Sequence, residues 1–479
     1  MTFRHAGSFA LLVVALAANA VAQVDRYELG LRLRAFERRL AAATDETRRT
    51  AAFAELQRAV QAFFRLDTTT VARAIDAADA ALAEPRSNDQ VHAASLQLVL
   101  AHRLHDHVAE PELLFEVQAA YAVDGATPAD LRITVRLDGD SHDRATLDVA
   151  TLPTTGTIDL RDAAAGDRIV TWTVHAGGKV VLTRTQGLSL AEGLAARIAA
   201  LTDATKNAGA EPPSLRHGTL ALWSSLLTGM TRQRREETVL PGARLLDDAA
   251  RLASHIAAPA ADQPPFFGPQ RTGQDWLRIP VAGTTVVLRL LVPPGLAAPT
   301  PLVLALHGAG GSENLFFDGY GDGAIVEECA RRGWLLAAPR GGLTGADLPA
   351  LVNALAEHWP IDTKRVFLVG HSMGAAQAIA AASRSPESFA AVAALGGGGA
   401  FRRARDTTTP RFFVGVGSED FALAGARSLH RALEQAAVPV TFREYAAVEH
   451  LAIVQIALPD VFAFLEQPRA DAGSTPAGR

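Results

Sequence analysis

The chemistry in this chain is densest at Gly370-His371-Ser372-Met373-Gly374. The apolar run Val366 to Val369 leads into it, and Ala375 to Ala381 follow with helical character. G-x-S-x-G between a buried strand and a small-residue helix is the setting of a nucleophile elbow, where a strained turn holds a serine hydroxyl clear of its neighbours. Gly370, Gly374 and Ala375 give the turn room, and the following helix directs its amide N–H groups at the reacting centre. A serine needs a base oriented by an acid, and in such elbows the partners follow in the order Ser, acid, His. Phe412 to Val416 reads as a strand ending in Gly417-Ser418-Glu419-Asp420. Thr441 to Tyr445 is extended and leads through Glu449 to His450, whereas His430 sits inside a helical stretch. Ser372, Asp420 and His450 are therefore the expected triad. Glu419, Glu449 and Asp406 remain alternative acids, with Asp420 best placed by the G-x-x-D spacing.

An oxyanion needs two backbone donors. Met373, next after the serine, supplies one. The loop His307-Gly308-Ala309-Gly310-Gly311-Ser312 after Leu302 to Leu306 supplies the other, from Ala309. The same loop lacks Gly-Lys-Ser/Thr and does not spell G-x-G-x-x-G, which excludes the familiar phosphate cradles. The following strand ends in Pro339-Arg340, where a dinucleotide site wants an acid. His102, His105 and His107 cluster near an expected helix end. An i, i+3 pair can ligate a metal, yet such residues more often complement the helix dipole. No metal or cofactor is expected. Cys329 reads as a small buried side chain in a helix.

These residues need a scaffold, and the 479-residue length exceeds one ordinary domain. Arg4 and His5, the apolar run Phe9 to Ala18 and Ala20-Val21-Ala22 form the order of a secretory signal peptide, with cleavage after Ala22. A secreted or periplasmic location follows. A single cysteine excludes an internal disulfide, a net charge of -5 without a basic block makes nucleic acid a poor partner, and no later window predicts a membrane span. Helical spacing marks 23–110, with Leu29, Phe36, Leu40, Leu56, Val60 and Phe63 recurring and Asp67 capping the next helix. Alternation in 131–137 and 169–174, with turns at Asp138-Gly139-Asp140 and Gly177-Gly178, predicts antiparallel strands and a small β-sandwich-like module over 111–188. Helical spacing returns over 189–258, and a proline-rich linker spans 259–274. From 275 to 467 continuous apolar runs alternate with helical lengths, the pattern of an α/β unit with a mostly parallel sheet buried on both faces. Residues 468–479 read as a disordered tail.

On these residues, the part from about 275 to 466 resembles the α/β-hydrolase superfamily, and within it the polyhydroxybutyrate depolymerase, feruloyl esterase and dienelactone hydrolase-like esterases. Leu306 to Ser312, Ile361 to Val366 leading into the elbow, Gly417 to Asp420 and His450 carry the resemblance, which covers under half of the chain. It implies Ser372 as nucleophile, His450 as base, Asp420 as acid, Ala309 and Met373 as oxyanion donors, and a small or polymer-linked ester as substrate. Two departures stand out. The family usually has glycine near the catalytic histidine, where Val448-Glu449 stands here. Only about fifteen residues, Gly396 to Pro410, occupy the place of the lid of many relatives, so the N-terminal regions are expected to shape substrate access. A prolyl oligopeptidase-like peptidase is the alternative within the same fold, although the repeats of a propeller gate are missing. A non-catalytic binding protein with a hydrolase shell is the alternative from another class.

Overall fold

The computed structural model describes residues 24–125, 128, 130–208, 214–232, 236–258, 263–296, 298–341, 345–402 and 408–467. The expected signal peptide, Asp406, the first residues of the expected linker and the C-terminal tail lie outside these residues. The chain opens with four helices, α1 (Arg26–Ala42), α2 (Glu46–Phe64), α3 (Thr68–Ala81) and α4 (Asn88–Ser95). Asp25, Asp45 and Asp67 cap the first three by accepting backbone N–H bonds from Glu28, Arg48 and Thr70.

Eight strands follow: β1 (Leu96–Leu100), β2 (Leu104–Asp106), β3 (Glu112–Ala119), β4 (Leu131–Leu137), β5 (Ala145–Val149), β6 (Thr154–Asp159), β7 (Gly166–Ala176) and β8 (Lys179–Ala191). They form a three-stranded sheet, β1-β3-β6, and a five-stranded sheet, β2-β8-β7-β4-β5. One apolar core lies between them, with Leu98, Phe115, Ile133, Trp172 and Val174 buried. The expected helical region over 23–110 therefore stops early. Leu96, Leu98 and Leu100 alternate inward as strand β1, a period-2 signal too short to outweigh the helical spacing before it.

Helices α5 (Leu194–Ala208), α6 (Leu215–Met230) and α7 (Gly242–Ala257) lead to the C-terminal sheet. Its strands are β9 (Gly273–Val281), β10 (Thr284–Val292), β11 (Thr300–Leu306), β12 (Leu335–Pro339), β13 (Ile361–His371), β14 (Ala391–Leu395), β15 (Arg411–Gly417) and β16 (Val440–Tyr445). Interspersed are α8 (Ala324–Arg332), α9 (Leu348–Ala356), α10 (Met373–Arg384), α11 (Leu423–Gln435) and α12 (Ile453–Leu465). The spatial order is β16-β15-β14-β13-β11-β12-β10-β9. The hairpin β9–β10 and the β10–β12 pair are antiparallel; every other pair is parallel. From β11 the chain steps to β12 on one side, then crosses back to place β13, β14, β15 and β16 on the other. The crevice at the carboxyl ends of β11 and β13 is thus a topological switch point, where open α/β sheets take ligands.

Period-2 alternation sends successive side chains to opposite faces. Leu302, Leu304 and Leu368 join α5–α7 in one core, which includes Trp223 and Trp276. Val303, Ala305, Phe367 and Val369 join α8, α12 and also α1–α3 in the other, through Phe36, Phe53, Leu56 and Ile75. Both helical regions therefore continue the C-terminal sheet's own cores. The expected linker at 259–274 does not divide them, and Trp223 Nε1–H donates to the Trp276 carbonyl across it at 2.6 Å.

Candidate active site

Ser372 joins β13 to α10 with φ 55° and ψ -115°, a region costly for a residue with a Cβ. Close packing imposes the turn. A Cβ on Gly374 would lie 1.9 Å from the Leu306 carbonyl oxygen, and one on Gly370 would lie 2.3 Å from that of Gly374. The Ser372 N–H is held by the Leu395 carbonyl at 2.9 Å. Met373 begins α10, so its N–H has no acceptor within the helix.

The loops after β15 and β16 bring the partners in. Asp420 and His450 are both buried, at 4 % and 5 % exposure. His450 Nδ1 lies 2.8 Å from Asp420 Oδ1, and His450 Nε2 lies 3.0 Å from Ser372 Oγ. A carboxylate accepts only, so Nδ1 carries the proton and Nε2 presents its lone pair to the serine O–H. The Ala422 N–H also donates to Asp420 Oδ1 at 2.8 Å and fixes that carboxylate. The structure brings Ser372, His450 and Asp420 together. Of the alternatives within the described residues, neither is on the imidazole nitrogens: Glu419 is exposed, and the Glu449 carboxylate accepts from the Leu451 and Ala452 N–H groups at 2.8 and 2.5 Å. Glu449 thus organises the chain directly after His450, where a glycine was expected nearby. Burial raises its carboxyl to about 7.

The His307–Ser312 loop follows β11. A Cβ on Gly308 would come within 3.4 Å of Ser372 Cβ, so this loop borders Ser372 directly. Gly308 N–H donates to Tyr320 Oη at 3.3 Å, which leaves Ala309 as the next amide along the loop.

Two residues given no role in the sequence reading tie these loops together. Tyr320 O–H donates to His371 Nδ1 at 2.6 Å, and His371 Nε2–H donates to the His450 carbonyl at 2.8 Å. The chain Gly308–Tyr320–His371–His450 links the His307–Ser312 loop to His450. Burial, with His450 beside it, lowers the His371 pKa to about 3, so the ring stays neutral and suits one donor and one acceptor contact. His371 was visible as the second residue of the motif; Tyr320, between Gly319 and Gly321, gave no signal of its role.

His102, His105 and His107 do not sit at a helix end. They flank and occupy β2, and the ring nitrogens of His105 and His107 lie 2.7 and 3.2 Å from the Glu110 and Ala191 carbonyls. Among the described residues no group of three or more His, Cys, Asp or Glu side chains could hold a metal. Cys329 is buried in α8 and burial pushes its thiol up.

Beside Ser372 and His450 lies a cavity of about 170 Å³, walled largely by apolar side chains of α1–α3 and by the Gly308–Gly311 loop.

Residues 348–401, which contain the elbow, match the Esterase family model. No curated protein matches the chain. Solved structures similar to it include the fluorophosphonate-binding serine hydrolase F of Staphylococcus aureus, at 15 % identity over 41 % of this chain and 99 % of that one, TM-score 0.36. An S-formylglutathione hydrolase from Agrobacterium tumefaciens is 18 % identical over 40 % and 94 %, TM-score 0.33. A feruloyl esterase module from Clostridium thermocellum is 13 % identical over 46 % and 96 %, TM-score 0.36. The strand order and the elbow give the C-terminal part the arrangement of an α/β-hydrolase, and its residues 348–401 are those similar to the esterases.

Proposed function

We propose that this chain is a serine hydrolase that cleaves a carboxylic ester through an acyl-enzyme on Ser372. The observation that carries the reading is the pair of contacts made by one imidazole, 3.0 Å to Ser372 Oγ and 2.8 Å to Asp420 Oδ1. His450 Nε2 takes the hydroxyl proton as Oγ attacks the ester carbonyl, and Asp420 holds the tautomer and stabilises the imidazolium. The Ala309 and Met373 amides receive the oxyanion, a role in which one donor is worth about 3 kcal/mol of barrier. The imidazolium protonates the departing alcohol, and the same histidine then activates water to release the acid. A fluorophosphonate should label Ser372, and Ser372→Ala should abolish labelling and cut ester turnover by a factor on the order of 10⁶. Turnover retained above about a hundredth of wild type would exclude the mechanism.

The two sheets closed over one core we read as a β-sandwich-like module beside the catalytic unit. The basic start, apolar run and Ala20-Val21-Ala22 support export to the periplasm or medium. Among the described residues no helix is long and apolar enough to cross a membrane. N-terminal sequencing of the exported protein should begin at Gln23; a chain still starting at Met1 would overturn this placement.

A further inference from the structure

We infer that α1–α3 build the acyl pocket of this site, and that the substrate is an ester of an uncharged, apolar acid about the size of a six-carbon chain or a phenyl ring. The inference rests on the esterase reading above and adds the acid's identity.

Four observations lead to it. Leu33, Leu56, Val60, Phe63, Val71 and Ile75, all from α1–α3, face the cavity that reaches Ser372 and His450. The helices are seated on the catalytic loops and do not merely lie near them. The Phe63 ring rests against Gly310, where a Cβ would meet its Cζ at 2.7 Å. Gln57 Nε2–H donates to the Glu419 carbonyl at 3.3 Å, and Arg26 donates to the Gly310 carbonyl. The volume of about 170 Å³ is close to that of an engineered cavity of about 150 Å³ that binds benzene.

The fourth observation is charge. Arg26, Arg34, Glu237 and Asp318 also border the cavity, and each is engaged within the protein. Arg26 pairs with Glu237, Arg34 Nε meets Asp322 at 2.9 Å, and Asp318 takes Arg289 at 2.6 Å and the Thr238 hydroxyl. Among the described residues the cations at the wall, Arg26 and Arg34, are already paired with Glu237 and Asp322, so a carboxylate on the acyl group would enter a largely apolar wall at a desolvation cost that disfavours binding.

The experiment uses the full chain with p-nitrophenyl acetate, hexanoate, benzoate and dodecanoate, and with p-nitrophenyl hydrogen adipate, which is hexanoate bearing a terminal carboxylate. Hexanoate and benzoate should exceed acetate in kcat/KM by a factor on the order of 100, and adipate should fall at least about tenfold below hexanoate. Dodecanoate should fall below hexanoate. Val60→Trp, which fills the cavity from α2, should lower the hexanoate-to-acetate ratio at least about tenfold. A flat wild-type profile, or adipate equal to hexanoate, overturns the pocket even when Ser372 labels with fluorophosphonate and acetate turns over; these readings need no variant to fold. Absence of both labelling and turnover of every ester would overturn the esterase reading, and the acyl pocket with it.

Discussion

The two parts of the N-terminal half relate to the catalytic sheet in opposite ways. The β-module closes over its own core, in which Trp172, Phe115 and Ile133 meet one another. Helices α1–α3 have no core of their own; Phe36, Leu56 and Ile75 are buried together with Val303, Phe367 and Ile453 of the hydrolase. Helices that share their core with the C-terminal sheet and also wall the cavity beside Ser372 are part of the proposed site's own architecture. The β-module keeps most of its apolar side chains in a separate core and meets α3 through Arg184 and Tyr121.

The joint between the two parts gives the largest test of this contrast. Arg32 of α1 is buried and pairs with Asp76 of α3 and with Glu28 at 2.8 Å, while Arg184 of β8 reaches Asp76 at 3.0 Å and the Leu96 and Ala94 carbonyls. Tyr121 O–H donates to the same Asp76 at 2.7 Å. Removing one member of a buried ionic cluster strands the others, so Asp76→Ala should destabilise by about 3–5 kcal/mol. Trp172→Ala should cost a similar amount, about 3–5 kcal/mol, by leaving a void in the β-module. Stability alone does not separate the two substitutions; the ester profile does. Asp76→Ala, next to Ile75 in the pocket wall, should flatten the hexanoate-to-acetate ratio, whereas Trp172→Ala should leave it near wild type below its melting point. Equal ratios in the two variants would remove the distinction.

The catalytic part was legible because its signals are local. A buried strand, G-x-S-x-G and a small-residue helix describe one continuous turn, and Asp420 and His450 each lie just past a strand of the same sheet. The network through Tyr320 and His371 was not legible. Its residues are 51 positions apart, and only the parallel pairing of β11 with β13 sets their loops side by side. The role of α1–α3 was legible only as an expectation about access, because helical spacing shows that a face is apolar without showing what that face covers. Strand β1 and the β9–β10 hairpin escaped for a related reason. The sequence reading took residues 96–100 as helix, where the five residues Leu-Gln-Leu-Val-Leu follow a helix directly. In β10, Leu288 to Val292 is buried on both faces and Arg289 interrupts the apolar run, so neither alternation nor a continuous run stands out.

The smallest effect expected lies in the pH dependence of stability, and it separates the two buried titratable neighbours of the triad. Glu449 titrates near 7 in the folded chain and near its ordinary value of 4.5 when unfolded. Between those pH values the native state holds the extra proton, so this residue makes stability fall as pH rises, by a total on the order of 3 kcal/mol. His371, lowered to about 3 from its ordinary 6.5, does the reverse. Between about 3 and 6.5 the unfolded state holds the extra proton, so stability rises with pH. The two slopes oppose each other from about 4.5 to 6.5, and wild type should be nearly flat there with respect to this pair. Glu449→Gln deletes the falling slope and exposes the rising one. Relative to wild type, its stability in urea titrations should improve steadily from pH 4.5 to pH 7 and then stay level, on top of a constant loss from one missing cap contact at Leu451 or Ala452. A difference between the two proteins that does not change over that interval would mean that Glu449 is ionised throughout it. Its buried carboxylate would then be stabilised by the helix amides far more than the desolvation argument allows.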